Sequence, residues 1–205
     1  INAGVPEELA LALADLRSCS SLAPNMPALI HVGSALEYGE IGGDLAEASE
    51  PAPETLYGRT KLGGTLAVQR VCSDRALPGL TARLFTVFGP GEHEGRLFPT
   101  LIGSRLTRGR IPLTAGAQKR DFCFVGDVAE ILASLACVEA VPGEIVNVAS
   151  GSLMSVRQFV EATAKLAGID CARRDFGALP TREEEMSHDP VRVKRLHELL
   201  GWTPP

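Results

Sequence analysis

The segment Tyr57-Gly58-Arg59-Thr60-Lys61 places a phenol and an ammonium group four residues apart. On an α-helix this spacing puts both side chains on one face, one turn from each other. A free phenol titrates near pH ~10, and a neighbouring ammonium group favours the phenolate. The pair is therefore a candidate general acid/base for an alcohol or a carbonyl group. The same spacing occurs by chance in many helices, where it forms only a solvated pair.

A buried strand is predicted ahead of this helix, at residues 28–33, and it leads directly into Ser34. A hydroxyl thus follows the carboxyl end of a strand, where open α/β sheets bind their ligands. Further strands are predicted at residues 80–85 and 144–148, with helices between them. This alternation predicts an α/β fold built on a parallel sheet, with a smaller α/β lobe after Gly89.

The composition is ordinary for a soluble globular protein, with 45% hydrophobic and 22% charged residues among 205. A net charge of −5 without a basic patch predicts no nucleic-acid partner. No apolar run approaches the ~20 residues of a membrane span, and no leader is visible, so no membrane association is expected. The five cysteines are scattered without a C-x-x-C pair. This argues against a metal site and a disulfide framework and predicts a reducing, cytoplasmic compartment.

These motifs resemble the extended short-chain dehydrogenase/reductase family of nucleotide-sugar epimerases, dehydratases and reductases. That family carries a Ser or Thr four residues before a Tyr-Gly pair, followed by Y-x-x-x-K. Here Ser34 precedes Tyr38-Gly39, and Tyr57 then precedes Lys61. Residues 114–128 are similar to the family's Gly-x-Gln-x-Arg-Asp-Phe-x-Tyr-Val-x-Asp-Val segment, and residues 200–204 to its Leu-Gly-Trp-x-Pro ending. The resemblance covers nearly the whole chain.

The resemblance implies a Rossmann-like parallel sheet that binds NAD or NADP, and a substrate that is a nucleotide-diphosphate sugar. Catalytic roles fall on Ser34, Tyr57 and Lys61. Tyr57 would exchange a proton with a sugar hydroxyl, usually at C4. Lys61 would hold the cofactor ribose and stabilise the phenolate, and Ser34 would hydrogen-bond the reacting oxygen.

Further ligand contacts are implied by the same resemblance. Phe85 matches a position on the cofactor side of the site, and Asn2 either matches another such position or is a simple cap of the helix that follows it. Thr86 stands where the family has a substrate-binding Asn, and a hydroxyl offers fewer donors than an amide. Arg120 is expected to clamp the diphosphate through its guanidinium fork, and Arg182 matches a second phosphate-binding arginine or is a solvated charge.

The reaction type is narrowed by two residues after the serine. Dehydratases of the family carry Asp-Glu there, as acid and base for the elimination of water, whereas this chain has Ala35 and Leu36. Dehydration is therefore disfavoured, and both epimerase and 4-ketoreductase remain open. A serine hydrolase is not indicated, because Ser34 lacks the G-x-S-x-G elbow.

The glycine-rich turn that binds the cofactor pyrophosphate in this family is not found between a strand and a helix. The chain is therefore expected to be the carboxyl-terminal part of a longer enzyme that lacks the N-terminal strands and is a homodimer when complete. Residues 1–88 would be the remainder of the dinucleotide-binding domain, and residues 89–205 mainly the substrate lobe, with 121–148 returning to the main sheet. The alternative is a non-catalytic or truncated remnant that binds sugar nucleotides.

Two local patterns predict architecture. Gly63-Gly64 lies inside the helix that carries Tyr57, which indicates either a close helix–helix approach, such as a dimer seam, or a local break. Asp121 and Asp127 are expected to fix turns and to cap a helix that begins near Val128.

Overall fold

A computed structural model describes residues 2–18, 29–39, 45–139, 141–181 and 188–205. The helices and strands in these ranges are α1 (Gly4–Ser18), β1 (Leu29–Ser34), α2 (Leu56–Arg75), β2 (Gly79–Leu84), β3 (Thr86–Phe88), α3 (Leu97–Gly103), β4 (Ile111–Leu113), β5 (Lys119–Arg120), β6 (Phe122–Phe124), α4 (Val125–Leu135), β7 (Glu144–Val148), β8 (Met154–Ser155), α5 (Val156–Ala167), β9 (Arg174–Phe176) and α6 (Lys194–Leu200). Short 3-10 helices cover Ala35–Glu37, Ser104–Leu106 and Cys171–Arg173. None of these helices is long and apolar enough to cross a membrane.

The main sheet is parallel and has the strand order β1-β2-β7. Ser34 pairs in register with Leu84, and Leu84 pairs with Val148, so the three strands end at the same edge. The α/β fold with a parallel sheet is therefore confirmed. Because β1 ends at this edge, Ser34 lies where ligands of open α/β sheets bind.

The largest core cluster lies between this sheet and two helices. Buried residues of β2 and β7 pack against α4 and α6, and the cluster consists of Leu80, Ala82, Cys123, Val128, Ile131, Leu135, Val146, Val148 and Leu196. A separate cluster joins α1 to α2 and contains Ala10, Val68, Val71, Cys72 and Leu77. Burial of this apolar surface stabilises the helices against the sheet.

A second centre of packing lies among α3, β4 and α5, with Leu101, Ile111, Leu113, Val156, Val160, Ala164 and Ile169. Three two-stranded ladders accompany it: β3 with β6 and β4 with β9 in parallel, and β5 with β8 in antiparallel orientation. β7 comes late in the chain and nevertheless lies beside β2 in the main sheet. The boundary between a dinucleotide-binding domain at residues 1–88 and a substrate lobe at 89–205 stays a prediction.

α2 continues through Gly63-Gly64, so the alternative of a local break is wrong. A Cβ at Gly64 would overlap the carbonyl oxygen of Asn2 and lie 3.2 Å from Cε1 of His31. A Cβ at Gly63 would meet the Cβ of Ala3 at 3.3 Å. The glycine pair therefore admits a close approach from within the same chain, by the segment that leads into α1.

The expected capping roles of Asp121 and Asp127 are wrong. α4 begins at Val125 rather than near Val128, its N-cap residue is Phe124, and no side chain caps it. The buried carboxylate of Asp121 instead accepts hydrogen bonds from the backbone N–H groups of Ser150, at 2.7 Å, and Gly151, at 2.8 Å. Asp121 thus joins β6 to the segment that follows β7.

Candidate active site

Ser34 is held in a defined conformation at the end of β1. It is the N-cap of the 3-10 helix Ala35–Glu37, with φ −146° and ψ 144°. Its Oγ accepts a hydrogen bond from the N–H of Leu36 at 3.3 Å, and its own N–H donates to Oε1 of Glu37 at 2.8 Å. This reciprocal pattern is a capping box, which satisfies two backbone donors that would otherwise have no partner. The hydroxyl is therefore positioned beyond the carboxyl end of the strand.

The first turn of α2 lies against the same segment. Thr55 caps α2 by accepting a hydrogen bond from the N–H of Gly58 at 3.0 Å. Gly58 is buried, and a Cβ there would overlap the carbonyl oxygen of Leu36. The missing side chain thus lets α2 approach the residues that follow Ser34. Tyr57, which precedes Gly58, is 50% exposed.

Lys61 reaches β1 directly. Its Nζ donates a hydrogen bond to the carbonyl oxygen of Val32 at 2.9 Å. Val32 lies on β1 just before Gly33 and Ser34. Tyr57 and Lys61 occupy the first two turns of α2, the part of this helix that approaches β1 and the segment after Ser34 through Gly58 and Lys61. Their catalytic roles stay a prediction.

Asn2 contacts this part of α2 through Thr60. Its Nδ2 donates a hydrogen bond to Oγ1 of Thr60 at 3.1 Å, and that hydroxyl donates to the carbonyl oxygen of Tyr57 at 2.9 Å. Asn2 is therefore linked to the backbone carbonyl of Tyr57 through the hydroxyl of Thr60. Its predicted contact with the cofactor stays a prediction.

The other predicted ligand residues lie between β2 and β3, on β3 and on β5. Phe85 is buried, and its ring is 6.5 Å from that of Tyr38 and 5.6 Å from that of His188. Thr86 begins β3 and donates its backbone N–H to the carbonyl oxygen of Asp121 at 3.0 Å. Arg120 immediately precedes Asp121, so the backbones of Thr86 and Arg120 are near one another. Arg182 lies outside the described residues.

A buried ion pair beneath Ser34 was missed by the sequence analysis. Glu37 and Arg83 are 0% and 1% exposed, and Nε of Arg83 donates to Oε2 of Glu37 at 2.9 Å. The available signal was a single arginine inside an otherwise uncharged strand, β2. Charged residues are almost never fully buried unless they are paired.

His31 is a second residue that the sequence analysis did not identify. It is buried on β1, and its Nε2 has no hydrogen-bond partner among the described residues. Burial and the neighbouring charge of Lys61 lower the pKa of the imidazole, and the charge of Glu37 opposes this effect. A neutral imidazole therefore lies near the ammonium group of Lys61.

Two further buried side chains, a phenol and a thiol, have a raised pKa. Burial raises the pKa of the Tyr38 phenol, although Arg83 opposes the shift. Burial and the charge of Asp121 raise the pKa of the Cys123 thiol. In the described ranges no group of three or more His, Cys, Asp or Glu side chains could hold a metal ion.

Comparison with known proteins identifies relatives. Residues 7–149 match the model of the NAD dependent epimerase/dehydratase family. The dTDP-6-deoxy-L-talose 4-dehydrogenase (NAD(P)(+)) of Kitasatospora kifunensis is 29% identical over 188 residues, which are 86% of this chain and 58% of that protein. The dTDP-L-rhamnose 4-epimerase of Burkholderia thailandensis is 27% identical over 164 residues, which are 78% and 44% of the two chains. The chain thus spans about half the length of these relatives.

Among solved structures, the UDP-glucuronic acid 4-epimerase of Bacillus cereus, in complex with UDP-glucuronic acid and NAD, has a TM-score of 0.81 and 24% identity. The match covers 100% of this chain and 62% of that one. At this identity the likeness shows the fold alone. The family model, which matches most of the chain, confirms the resemblance indicated by the motifs. The chain belongs to the NAD dependent epimerase/dehydratase family.

Proposed function

We propose that this chain carries the acid/base residues of an NAD(P)-dependent epimerase or 4-ketoreductase that acts on a nucleotide-diphosphate sugar. The observation that carries the proposal is the approach of α2 to the end of β1. It places Tyr57 and Lys61, one helical turn apart, next to the segment that Ser34 begins. A general acid/base group must lie within hydrogen-bond reach of the reacting atom. We propose that Tyr57 is this group and that Lys61 and Ser34 assist it at the same sheet edge.

The chain's residues fit one part of the implied cofactor. A phenol and an ammonium group at the start of α2 match the hydroxyl groups of a nicotinamide ribose. The sequence contains no glycine-rich turn between a strand and a helix that would bind the pyrophosphate. The nicotinamide, when bound, supplies or accepts the hydride. The relative from Kitasatospora is named for NAD(P)(+), and the Bacillus cereus structure contains NAD.

Proton transfer is assigned to Tyr57. Its phenolic oxygen takes the proton of the sugar hydroxyl when the sugar carbon is oxidised, and returns it when the carbon is reduced. The ammonium group of Lys61 has three donors, of which one binds the carbonyl oxygen of Val32. The remaining donors stabilise the phenolate and bind the ribose.

The hydrogen bonds of Ser34 support the role proposed for its hydroxyl. Its Oγ accepts from the N–H of Leu36, which leaves the hydroxyl proton to be donated. This donor contacts the sugar oxygen as negative charge develops there. Because Ala35 and Leu36 follow Ser34, the chain lacks the acid/base pair for elimination of water at these positions. The proposal is therefore restricted to epimerisation or 4-keto reduction.

The remaining contacts with the substrate are assigned to residues on β3 and β5. Thr86 and Arg120 lie near one another beside Asp121, and we propose that Arg120 binds the diphosphate and Thr86 the sugar. Arg182 is proposed as a second phosphate ligand. The relatives named above act on dTDP- or UDP-linked sugars by their names. A cytoplasmic homodimer is proposed for the intact protein.

The proposal is tested by incubating the intact protein with UDP- and dTDP-hexoses and their 4-keto forms, in the presence of NAD(P)(H). An epimerase produces the epimer with no net change in NADH, whereas a ketoreductase consumes NADPH. Tyr57→Phe is expected to lower kcat by about 10²- to 10⁴-fold without changing the thermal midpoint.

Leu56→Ala is the matched control, because Leu56 lies on the same turn of α2 and is 78% exposed. This substitution is expected to leave kcat unchanged. Full activity of Tyr57→Phe would contradict the assignment. Saturable binding of a sugar nucleotide without turnover would instead support the alternative of a binding module.

A further inference from the structure

The carboxylate of Glu37 binds two partners at once. Its Oε2 accepts from Nε of Arg83 at 2.9 Å, and its Oε1 accepts from the backbone N–H of Ser34 at 2.8 Å. Glu37 is 0% exposed and Arg83 is 1% exposed, so both contacts are shielded from water. A single buried carboxylate thus connects a guanidinium group on β2 to the backbone of Ser34.

The end of the main sheet has space for this carboxylate because Gly33 has no side chain. A Cβ at Gly33 would lie 2.7 Å from Oε1 of Glu37 and 3.2 Å from Cγ of Arg83. Gly33 pairs in register with Arg83, and Arg83 pairs with Asn147. Three strands therefore contribute one glycine, one arginine and one asparagine to the same row of the sheet, around the carboxylate.

The network continues to the third strand and to a loop. Cζ of Arg83 lies 4.4 Å from the ring centroid of Tyr38, and the phenol of Tyr38 donates to Oδ1 of Asn147 at 2.8 Å. The backbone N–H of Asn147 donates to Oε1 of Glu47 at 3.0 Å. The third strand is thus linked through Tyr38 to Arg83, which binds the Glu37 carboxylate.

Stability alone does not account for this arrangement. Removing two charges from water is costly, and apolar side chains of similar volume often make a fold equally stable. The contact that apolar side chains would lose is the acceptor for the N–H of Ser34. A reacting group must be held to within about 0.5 Å of its productive geometry, usually by neighbours that are themselves fixed.

We propose that Glu37 is a positioning residue for the reaction. It binds the N–H of Ser34, fixes the extended backbone at this residue, and so directs the hydroxyl toward the reacting sugar oxygen. Arg83 in turn fixes Glu37. This inference rests on the proposed function, because it assigns the purpose of the contact to the hydroxyl of Ser34.

The test compares two double variants of the intact protein that both lack the buried charges. Glu37→Gln/Arg83→Met keeps a side-chain oxygen that accepts the N–H of Ser34, whereas Glu37→Met/Arg83→Met has none. The first variant is expected to keep most of the parent's kcat. In the second, kcat is expected to fall on the order of tenfold to a hundredfold while KM stays close to the parent's value. A purely structural role would lower kcat in both variants alike, and that result would overturn the proposal.

Backbone hydrogen exchange provides the second measurement and needs no substrate. In the parent the amide of Ser34 is expected to exchange slowly, because its acceptor is buried, and Glu37→Met/Arg83→Met should abolish this protection. If either double variant does not fold, exchange in the parent decides: a Ser34 amide that exchanges as fast as an unprotected amide overturns the proposal.

The two proposals fail in different ways. A parent without activity on any sugar nucleotide contradicts the proposed function, while the exchange experiment still tests the contact between Glu37 and Ser34. An active parent whose two double variants lose equal activity contradicts the positioning role and leaves the proposed function intact.

Discussion

At the scale of single residues, His31 shows how one buried group makes the stability of the fold depend on pH. Its ring lies on β1 against α2, and its Nε2 has no partner among the described residues. Burial lowers its pKa first, the charge of Lys61 lowers it further, and Glu37 acts in the opposite direction. The folded protein therefore binds a proton at His31 less readily than the unfolded chain does.

The sign of the pH dependence follows from this difference. The reference pKa of an unfolded histidine is ~6.5, and the pKa of His31 in the folded state lies below it. Between these two values the unfolded chain binds the extra proton, so the free energy of unfolding falls as the pH falls, by up to ~1.4 kcal/mol per pH unit. The contribution is complete above pH ~6.5 and decreases below it.

His31→Leu removes the titrating group, and we expect its urea midpoint to change less than the parent's between pH 7.5 and 5.5. His93→Leu is the control for the loss of one histidine, because His93 is exposed in a loop rather than buried against α2. Equal pH dependence in the parent and His31→Leu would show that His31 does not titrate differently in the folded protein.

At the scale of elements, the position of α2 depends on glycines with specific neighbours. Gly64 is buried against the carbonyl oxygen of Asn2 and the ring of His31, whereas among the described residues only the Cβ of Ala3 lies near the missing side chain of Gly63. Both glycines reduce helix propensity by up to ~1 kcal/mol relative to alanine. Close packing explains the presence of glycine, despite its low helix propensity, at Gly64 but not at Gly63.

Gly64→Ala is expected to lower the free energy of unfolding by about 1–3 kcal/mol, because the added methyl group displaces the segment before α1 or the ring of His31. Gly63→Ala is the matched control on the same helix. It is expected to be neutral or to stabilise the protein by up to ~1 kcal/mol, because its contact with Ala3 at 3.3 Å can relax. Chemical denaturation measures both values, and equal effects of the two substitutions would contradict this explanation.

At the scale of the whole molecule, an aromatic cluster joins the two centres of packing. Phe88 on β3 has the rings of four other phenylalanines within 6.4 Å: Phe98, Phe122, Phe124 and Phe159. Phe122 on β6 stacks on Phe159 of α5, with ring centroids 4.1 Å apart. Phe122 packs against the second centre of packing, whereas its neighbour Cys123 and Val87 on β3 pack in the core cluster of the main sheet. The ladder of β3 and β6 therefore contacts both centres of packing.

Phe88→Ala is expected to lower the free energy of unfolding by about 3 kcal/mol and to broaden or split the calorimetric transition, because it removes the centre of the cluster. Phe124→Ala is the control. Phe124 is 42% exposed, so its loss should cost less and leave a single transition. A single, sharp transition in Phe88→Ala would show that the two centres of packing unfold together without this ring.

Local patterns in the sequence were sufficient to predict the fold class and the family. A hydroxyl directly after a strand, and a tyrosine and a lysine one turn apart on a helix, depend only on residues close in sequence. The alternation of strands and helices likewise predicts a parallel sheet. The start of α4 was predicted wrongly, because Asp121 binds a loop distant in sequence rather than the helix that follows it.

Only the tertiary structure decided which distant groups meet beneath Ser34. Glu37 and Arg83 are 46 residues apart, and Tyr38 and Asn147 are 109 residues apart. Their contacts depend on the register of three parallel strands and on the space left at Gly33. Register is set by the packing of whole strands, so no local pattern specifies it. The sequence by itself therefore determined the candidate catalytic residues, whereas the charged network that we propose positions one of them arises from the packing of the sheet.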